Sequence, residues 1–393
     1  MVFCENTANH NLNFQLHKKQ LQTDKRCDFM TTFGLLTCKK GTPPKHITHL
    51  AEVALQYPIE VVCFCPSNIQ PITHEVIGYT FDKQKKSWIA STFSLPNLLY
   101  DRCFYNTKEE RMQNAAVVKW LQTQKNIIFL NHSLPNKIEV YEFLQTICTF
   151  KPFLPNLQKL EKTSDCIKNL NLNGQILLQP EANLGTAGQI LCKQIGTQYQ
   201  LQTIRNKKII KKTVPSMKEL EAFLDSLIQK KSYILSPMLT FYTKNRNTFL
   251  LRFLLQKDGN GLWCTKGKMA ILHPEVRWDL SKQKEKTIHF QAFINHNFPR
   301  NFRTQLRSMQ NIIQKLPAIL DQHFQSQFEL VIDMGIDYQL QPVLVNWNHK
   351  PTPKMLEQIA PHCDFPIDEA PIVYGLYLTK NESRQKDTKR KEN

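Results

Sequence analysis

The spacing of apolar residues differs between two parts of the chain. This difference predicts two successive domains, each built from both strands and helices. In the first part, strand-like runs such as TFGLLT and IEVVCFCP alternate with helical spacing. This βαβ beginning predicts a small α/β domain over residues 31–150. The segment KPFLPNLQK, with Pro152 and Pro155, predicts the crossing into a second domain.

Beyond that crossing the pattern predicts paired strands flanked by amphipathic helices, which is typical of an α+β unit over residues 151–379. The runs ILCKQI and YQLQTI predict an antiparallel hairpin. Ser216 and Glu219 have the spacing of a capping box, and leucines follow them at helical spacing. A long helix is predicted near 302–324, and ELVIDMGID and PVLVNWNHKP predict two final strands joined by a polar turn.

The two ends of the chain lack apolar periodicity. Residues 1–30 predict a loosely held arm, and residues 380–393 predict a basic, disordered tail. No apolar run approaches the ~20 residues that span a bilayer, and no secretory signal pattern is visible. The 11 cysteines include no C-x-x-C pair, so a disulfide framework is not favoured. The sequence predicts a soluble cytoplasmic protein without a membrane partner.

The net charge of +18 predicts attraction to polyanions such as nucleotides, nucleic acid or acidic surfaces. The two commonest glycine-rich nucleotide fingerprints, G-x-G-x-x-G and G-x-x-x-x-G-K-[ST], are absent. The aromatic residues lie mainly in apolar strands rather than among basic residues, and no nucleic-acid motif is present. Nucleic acid is therefore disfavoured as a partner, although the charge keeps that class open.

Polar side chains in the last two predicted strands form a candidate metal site. Strand alternation places Asp333 on one face of its strand, and Asn346 and Asn348 on one face of the next. If the strands pair, these oxygen-bearing side chains converge, as a hard cation such as Mg²⁺ requires. The alternative is an ordinary solvated polar face.

Two further features are candidates for binding phosphate. Arg252 lies within the apolar strand FLLRFLLQ, where a guanidinium must meet either an anion or a protein carboxylate. The turn after ILLQP contains Gly185 and Gly188, whose backbone N–H groups could form an anion nest. An internal ion pair and a simple hairpin turn are the respective alternatives.

The order of these features resembles the YheC/YheD-type endospore coat-associated family, a branch of the ATP-grasp superfamily. The resemblance extends from about 33–37 to 349–356, and its most specific segments are SLPNLLYDRCFY, ILLQPEANLGTAG, FLLRFLLQKDGNGLW, ELVIDMGID and VLVNWNHKP. It implies an N-terminal α/β pre-grasp domain followed by an ATP-grasp-like unit of two α+β lobes that clamp magnesium-ATP. Typical members activate a carboxylate as an acyl phosphate and then accept an amine.

The resemblance also implies roles for individual residues. Asp333 and Asn348 match metal ligands of the family, and Arg252 matches the arginine that faces the phosphates. The loop from Asn183 through Gly185 to Gly188 matches the cover over the β- and γ-phosphates.

Three positions depart from the superfamily pattern. Gln179 stands where a phosphate-binding lysine is usual, Asn346 where a metal-bridging glutamate is usual, and Leu250 where an acid is common. The change from glutamate to asparagine removes a negative charge and bidentate geometry from the metal site. Losing one transition-state contact commonly costs ~10²-fold in rate, so several losses together can abolish catalysis.

The resemblance implies a spore-associated ATP-grasp-like protein, and the departures predict that its nucleotide site is degenerate. The protein is then either a weak nucleotide binder or catalytically silent, with binding of ATP and magnesium weak or lost. An active ATP-dependent carboxylate–amine ligase is the first alternative, and a basic nucleic-acid-binding protein is the second. Candidate partners are a nucleotide and either an acidic small molecule or spore-coat components. The expected location is cytoplasmic or spore-associated.

Overall fold

The protein is described by a computed structural model that covers residues 31–38, 41–105, 107–181, 188–205, 208–273, 285–364 and 366–392. The predicted arm over residues 1–30, and the candidate loop residues Asn183 and Gly185, lie outside these ranges. The described residues form three β-sheets with helices packed on them.

The first sheet is the α/β domain that the βαβ pattern predicts. Its strands are β1 (Thr31–Leu36), β2 (Ile59–Phe64), β3 (Glu75–Asp82), β4 (Ser87–Ser94), β5 (Leu98–Asp101) and β6 (Ile128–Phe129), and its helices are α1 (Lys45–Ala54) and α2 (Lys108–Thr123). The strand order is β4-β3-β2-β1-β5-β6, with β1 parallel to both β2 and β5. Leu35 packs on the α1 side and Leu36 on the α2 side, so the helices cover opposite faces.

Helix α3 (Lys137–Gln145) lies before the predicted domain boundary at residue 150 but does not pack on the first sheet. Ile138, Tyr141 and Leu144 of α3 share a core with Phe249 and Ile332 of the C-terminal part. The reason is that both faces of the first sheet are already covered. The structure therefore places the segment from about 134 onward with the C-terminal unit.

The second sheet contains the predicted antiparallel hairpin. Its strands are β7 (Gln158–Lys159), β8 (Gln175–Pro180), β9 (Ile190–Ile195), β10 (Gln198–Arg205), β11 (Lys208–Val214) and β12 (Tyr233–Pro237), and its helices are α4 (Thr163–Asn173) and α5 (Met217–Lys230). β9 and β10 pair antiparallel, as predicted. The Ser216 side chain accepts a hydrogen bond from the Glu219 backbone N–H, which confirms the predicted cap of α5.

The third sheet has the order β15-β14-β13-β16-β17 and lies over the largest apolar core. Its strands are β13 (Thr248–Lys257), β14 (Trp263–His273), β15 (Lys286–His289), β16 (Glu329–Ile336) and β17 (Pro342–Asn348), and the helices of this part are α6 (Phe290–Asn297), α7 (Arg303–His323), α8 (Pro353–Ile359) and α9 (Ala370–Glu392). The predicted long helix and the two final strands are all present.

Helix α9 returns to the first sheet. Ile372 and Tyr374 pack in the same core as Phe33, on the α1 face. The helix continues to Glu392, whereas the sequence predicts disorder from residue 380. Lys, Arg, Gln and Glu, which are good helix formers, dominate this last stretch and extend the anchored helix. Among the described residues, every helix is too short or too polar to cross a bilayer.

A buried polar cluster joins the first sheet to the third. Arg102, just after β5, places Nη1 2.8 Å from Oε1 of Glu329 on β16. Its Nη2 donates to the Pro351 carbonyl oxygen at 2.8 Å, and the Tyr100 hydroxyl donates to the same Glu329 oxygen at 2.8 Å. Burial raises the pKa of the Glu329 carboxyl, and Arg102 opposes that rise. The side chains of Arg102 and Glu329 are almost completely excluded from solvent.

Two further contacts hold the segment that follows β17. Lys350 Nζ is 2.6 Å from Asp101 Oδ2, and the Asn131 side-chain amide donates to the His349 carbonyl oxygen. Residues of the first domain therefore fix three consecutive positions, His349 to Pro351, directly after the candidate metal ligand Asn348.

We predict that Arg102→Met lowers the free energy of unfolding by about 3–5 kcal/mol, because it leaves the buried Glu329 carboxyl without its counter-charge. Lys350→Met is the matched control: its ion pair is more exposed, so the loss should be about 1 kcal/mol. Urea denaturation of both variants measures the difference, and equal losses would contradict the prediction.

The deficit of Arg102→Met should also depend on pH. Burial raises the Glu329 pKa in the folded state, so the folded variant binds more protons than the unfolded chain and loses stability as pH rises. The deficit relative to the wild type should therefore be larger at about pH 7 than at about pH 5. A deficit that grows on acidification would contradict this sign.

Candidate functional site

A cleft of about 600 Å³ lies between the second and third sheets. Five residues that the sequence predicts for the site line it together: Gln179, Arg252, Asp333, Asn346 and Asn348. They come from β8, β13, β16 and β17, so the convergence depends on how two sheets face each other. Gly188 lies at the foot of β9 with a φ of 78°, a left-handed conformation that favours glycine.

Strand register brings the polar residues of the third sheet together. β13 and β16 pair antiparallel with Arg252 opposite Asp333. β16 and β17 pair antiparallel with Asp333 opposite Asn346, and a β-bulge follows between Asp333 and Met334. The pairing of β16 with β17, on which the sequence-based hypothesis depends, is present, and the pairing of β13 with β16 adds Arg252 to the same place.

Arg252 and Asp333 form a two-pronged ion pair. Nε of Arg252 is 2.7 Å from Oδ1 of Asp333, and Nη2 is 3.0 Å from Oδ2. The side chains are only 12% and 4% exposed. Burial alone lowers the pKa of the guanidinium, but Asp333 and then Glu285 outweigh it, and the net pKa of Arg252 is raised. The internal ion pair, which was the alternative for Arg252, is thus the arrangement of the free cleft.

The two asparagines differ in what they contact. Asn348 Oδ1 accepts a hydrogen bond from the Lys350 backbone N–H at 2.9 Å, and its Nδ2 lies 3.7 Å from Met355 Sδ. This amide therefore holds the turn after β17. Asn346 lies half-buried on the cleft wall beside Asp333.

The next aspartate, Asp337 directly after β16, is not among the residues that line the cleft. Its Oδ1 accepts from the backbone N–H groups of Gln339 and Gln341 at 2.9 and 2.8 Å and closes the β16–β17 turn. Asp337 therefore caps a turn, and Asp333 is the carboxylate at the sheet face.

The opposite wall is largely apolar. Alternate residues of β8 divide between two environments, with Ile176 and Leu178 in the core of the second sheet and Leu177 and Gln179 on the cleft. Leu157, Ile234 and Leu239 complete this wall. Leu250 on β13, at the position where an acid is common in the superfamily, adds an apolar residue on the side of the cleft that carries Arg252.

Four charged residues of the cleft were not predicted from the sequence: Arg111, Lys137, Glu181 and Glu285. Glu285, directly before β15, lines the cleft and accepts a hydrogen bond from the Gln358 side-chain amide. It occurs in the run KQKEKT, whose pattern is that of a solvated charge cluster. Lys137 of α3 reaches the cleft from the other side, with Nζ 5.9 Å from the Trp347 ring centroid. Nothing in its local pattern indicates that position.

Comparison with known families identifies the fold that carries this cleft. A family model described as YheC/D like ATP-grasp matches residues 126–378, more than half of the chain. The chain belongs to the YheC/D-like ATP-grasp family.

One curated relative of this ATP-grasp protein spans almost the whole chain. It is the endospore coat-associated protein YheC of Bacillus subtilis (strain 168), which is 23% identical over 359 residues, or 91% of this chain and 98% of the relative. The match includes the first domain as well as the two lobes around the cleft.

Solved structures of ATP-grasp ligases share the fold at low sequence identity. D-alanyl-alanine synthetase A of Vibrio cholerae has a TM-score of 0.53 at 12% identity, covering 88% of this chain and 98% of that one. The D-alanine-D-alanine ligase of Coxiella burnetii has a TM-score of 0.52 at 9% identity, covering 92% and 98%. N5-carboxyaminoimidazole synthetase of Staphylococcus aureus, complexed with ADP, has a TM-score of 0.50 at 14% identity, covering 89% and 78%. The pre-grasp domain and two-lobed unit implied by the sequence resemblance are confirmed as the fold class.

We predict that Arg252→Met lowers the ligand-free stability by about 3 kcal/mol, because the buried Asp333 carboxylate loses its guanidinium counter-charge. Arg252→Lys keeps the positive charge but cannot form the two-pronged contact, so its loss of stability should be smaller. The double variant Arg252→Met/Asp333→Asn removes both charges and should recover much of the difference. Thermal and urea unfolding measure all three, and a stable Arg252→Met protein would show that the pair does not support the fold.

Proposed function

We propose that the cleft binds ATP weakly, with little help from Mg²⁺, and that the protein is catalytically silent. The observation that carries this proposal is the two-pronged contact between Arg252 and Asp333. It cancels the one carboxylate among the matched metal ligands and the one arginine matched to phosphate binding. Neither charge is then fully available to a ligand.

The cleft suits the base and sugar of a nucleotide. Its volume of about 600 Å³ is in the range of small-molecule sites, and the wall that includes β8 is largely apolar. Arg111 and Lys137 line the same cleft and add positive charge for a polyphosphate. The ADP complex of the Staphylococcus aureus synthetase supports nucleotide binding at the level of the fold.

The residues present fit Mg²⁺ poorly. Magnesium prefers near-octahedral oxygen coordination that includes one or two carboxylates. The matched set offers Asp333, whose two oxygens meet Arg252, and two neutral amides. The Asn348 oxygen is also engaged by a backbone N–H. We therefore assign no catalytic step to a metal ion in this protein.

We attribute the proposed lack of catalysis to charges that are missing from the same site. Gln179 provides no positive charge for the phosphates, and Asn346 provides no bridging carboxylate. Each such contact commonly contributes ~10²-fold to a phosphoryl-transfer rate, and their losses act on one site.

An active ATP-dependent carboxylate–amine ligase is the second candidate, because Glu285 lines the same cleft. Its carboxylate acts electrostatically on Arg252 and would restore a second negative charge beside Asp333. In that arrangement Glu285 would perform the task of the glutamate that Asn346 replaces.

The name of the Bacillus subtilis relative suggests where the protein acts. We propose association with the spore coat, with an acidic coat component or acidic small molecule as partner, since the chain carries a net charge of +18.

Calorimetric titration of the purified chain with ATP, in Mg²⁺ and in EDTA, tests the proposal together with a phosphate-release assay. If the protein is catalytically silent, it should bind ATP weakly and release no phosphate. The Kd for ATP should then differ by less than about threefold between Mg²⁺ and EDTA. Micromolar binding that requires Mg²⁺, with hydrolysis, would replace this proposal by the ligase.

Restoring the two departed residues should reverse the loss. We predict that Gln179→Lys/Asn346→Glu binds magnesium-ATP more tightly than the wild type and hydrolyses it slowly, without turning over a carboxylate substrate. The net charge is unchanged. The control Gln194→Lys/Asn173→Glu makes the same two changes at exposed positions outside the cleft and should have no effect. Equal binding by both double variants would refute the assignment of positions 179 and 346.

A further inference from the structure

Among the described residues, strand β4 is an edge strand of the first sheet. Its sequence, SWIASTFS, contains no charged residue and no proline, and it pairs with β3 over eight consecutive positions without a bulge. No described strand pairs with its outer side. An edge strand of this kind presents a row of backbone N–H and C=O groups to any strand that approaches.

The other sheet edges in the described part of the chain are protected. β11 carries Lys208, Lys211 and Lys212, and β15 is four residues long and begins with Lys286. β6 and β7 are two residues each, and β17 begins with Pro342. Charge, brevity and proline are the devices that normally keep edges apart, and β4 has none of them.

Apolar side chains are exposed around this edge. Ile89 on β4 is 44% exposed and lies on the same face as Phe93, which is half-buried against Phe64. Trp88 points to the opposite face, where it contacts Phe81. Extending the sheet beyond β4 would cover apolar surface on both faces.

We propose that β4 pairs antiparallel with β4 of a second copy of this chain, across a twofold axis at Ser91. The two six-stranded sheets then become one continuous sheet. In an antiparallel pair, directly opposite residues lie on the same face. An axis at Ser91 places Ile89 opposite Phe93 of the second copy, and symmetry repeats this apolar pair.

Charge supports a second copy as the occupant. The turn between β3 and β4 carries Lys83, Lys85 and Lys86, and the far end of the hairpin carries the exposed Glu75. Antiparallel pairing brings the basic turn of one copy toward the Glu75 end of the other, whereas parallel pairing would bring the two basic turns together. The strand itself is neutral, so no like charges meet along it.

Symmetry also limits the assembly. A twofold contact uses the same edge of both copies, so association closes at a dimer. The edges that remain in the described sheets are the protected ones. The inference is independent of nucleotide binding, because β4 lies outside the cleft.

Analytical ultracentrifugation of the full chain over the micromolar range tests the proposal. The wild type should be a dimer, and Ile89→Lys should raise the dimer dissociation constant at least about tenfold by placing a charge at the edge. Ile77→Lys is the matched control: Ile77 is 54% exposed but lies one strand inward on β3, so that variant should dimerise like the wild type.

A charge exchange tests the position of the axis. Ser91 would face itself, so Ser91→Lys and Ser91→Glu should each be monomeric alone and should form a heterodimer when mixed. Both variants lose the same hydrogen bond to Thr80. If that loss caused a folding defect, mixing the two variants would not restore a dimer. The proposal would be overturned by a monomeric wild type or by a dimer that tolerates Ile89→Lys. If the wild type is a monomer and its β4 amides nevertheless resist hydrogen exchange, the edge is covered by a segment of the same chain.

Discussion

A carboxylate buried on a sheet face needs a counter-charge, and this requirement at Asp333 governs the cleft. Arg252 supplies the counter-charge from the neighbouring strand, through two hydrogen bonds along one register position. The same contact stabilises the third sheet and neutralises the two groups, Asp333 and Arg252, that are our candidates for metal and phosphate binding. The stability of this sheet and the proposed lack of catalysis thus both result from the ion pair between Arg252 and Asp333.

A second buried carboxylate on the same strand links this face to the first domain. Glu329 precedes Asp333 by four positions in β16 and meets Arg102 from the loop after β5. Arg102 also holds the Pro351 carbonyl, so the turn that positions Asn348 is fixed from outside the two lobes. The first domain is therefore part of the site's framework, even though its sheet does not line the cleft.

Local patterns predicted much of this structure from the sequence. The cap at Ser216 and the alternation around Asp333 depend on neighbouring residues, so the helix, the strands and their convergence were predictable. The pairing of Arg252 with Asp333 depends on register across 81 positions, and sequence spacing left it as one of two alternatives. The packing of α3 on the C-terminal core and the position of Glu285 in the cleft depend on which faces of the sheets are covered by other helices and strands. No periodicity in a single segment reports that.

The most direct test of the central claim is ATP binding by Asp333→Asn in EDTA, measured by calorimetry beside Asp337→Asn, which removes the same charge from a turn outside the cleft. If Asp333 restrains Arg252, freeing the guanidinium should tighten binding of metal-free ATP about tenfold and abolish any effect of Mg²⁺, while Asp337→Asn behaves like the wild type. Weaker binding of magnesium-ATP by Asp333→Asn, with metal-free binding unchanged, would contradict the account and identify Asp333 as a working metal ligand.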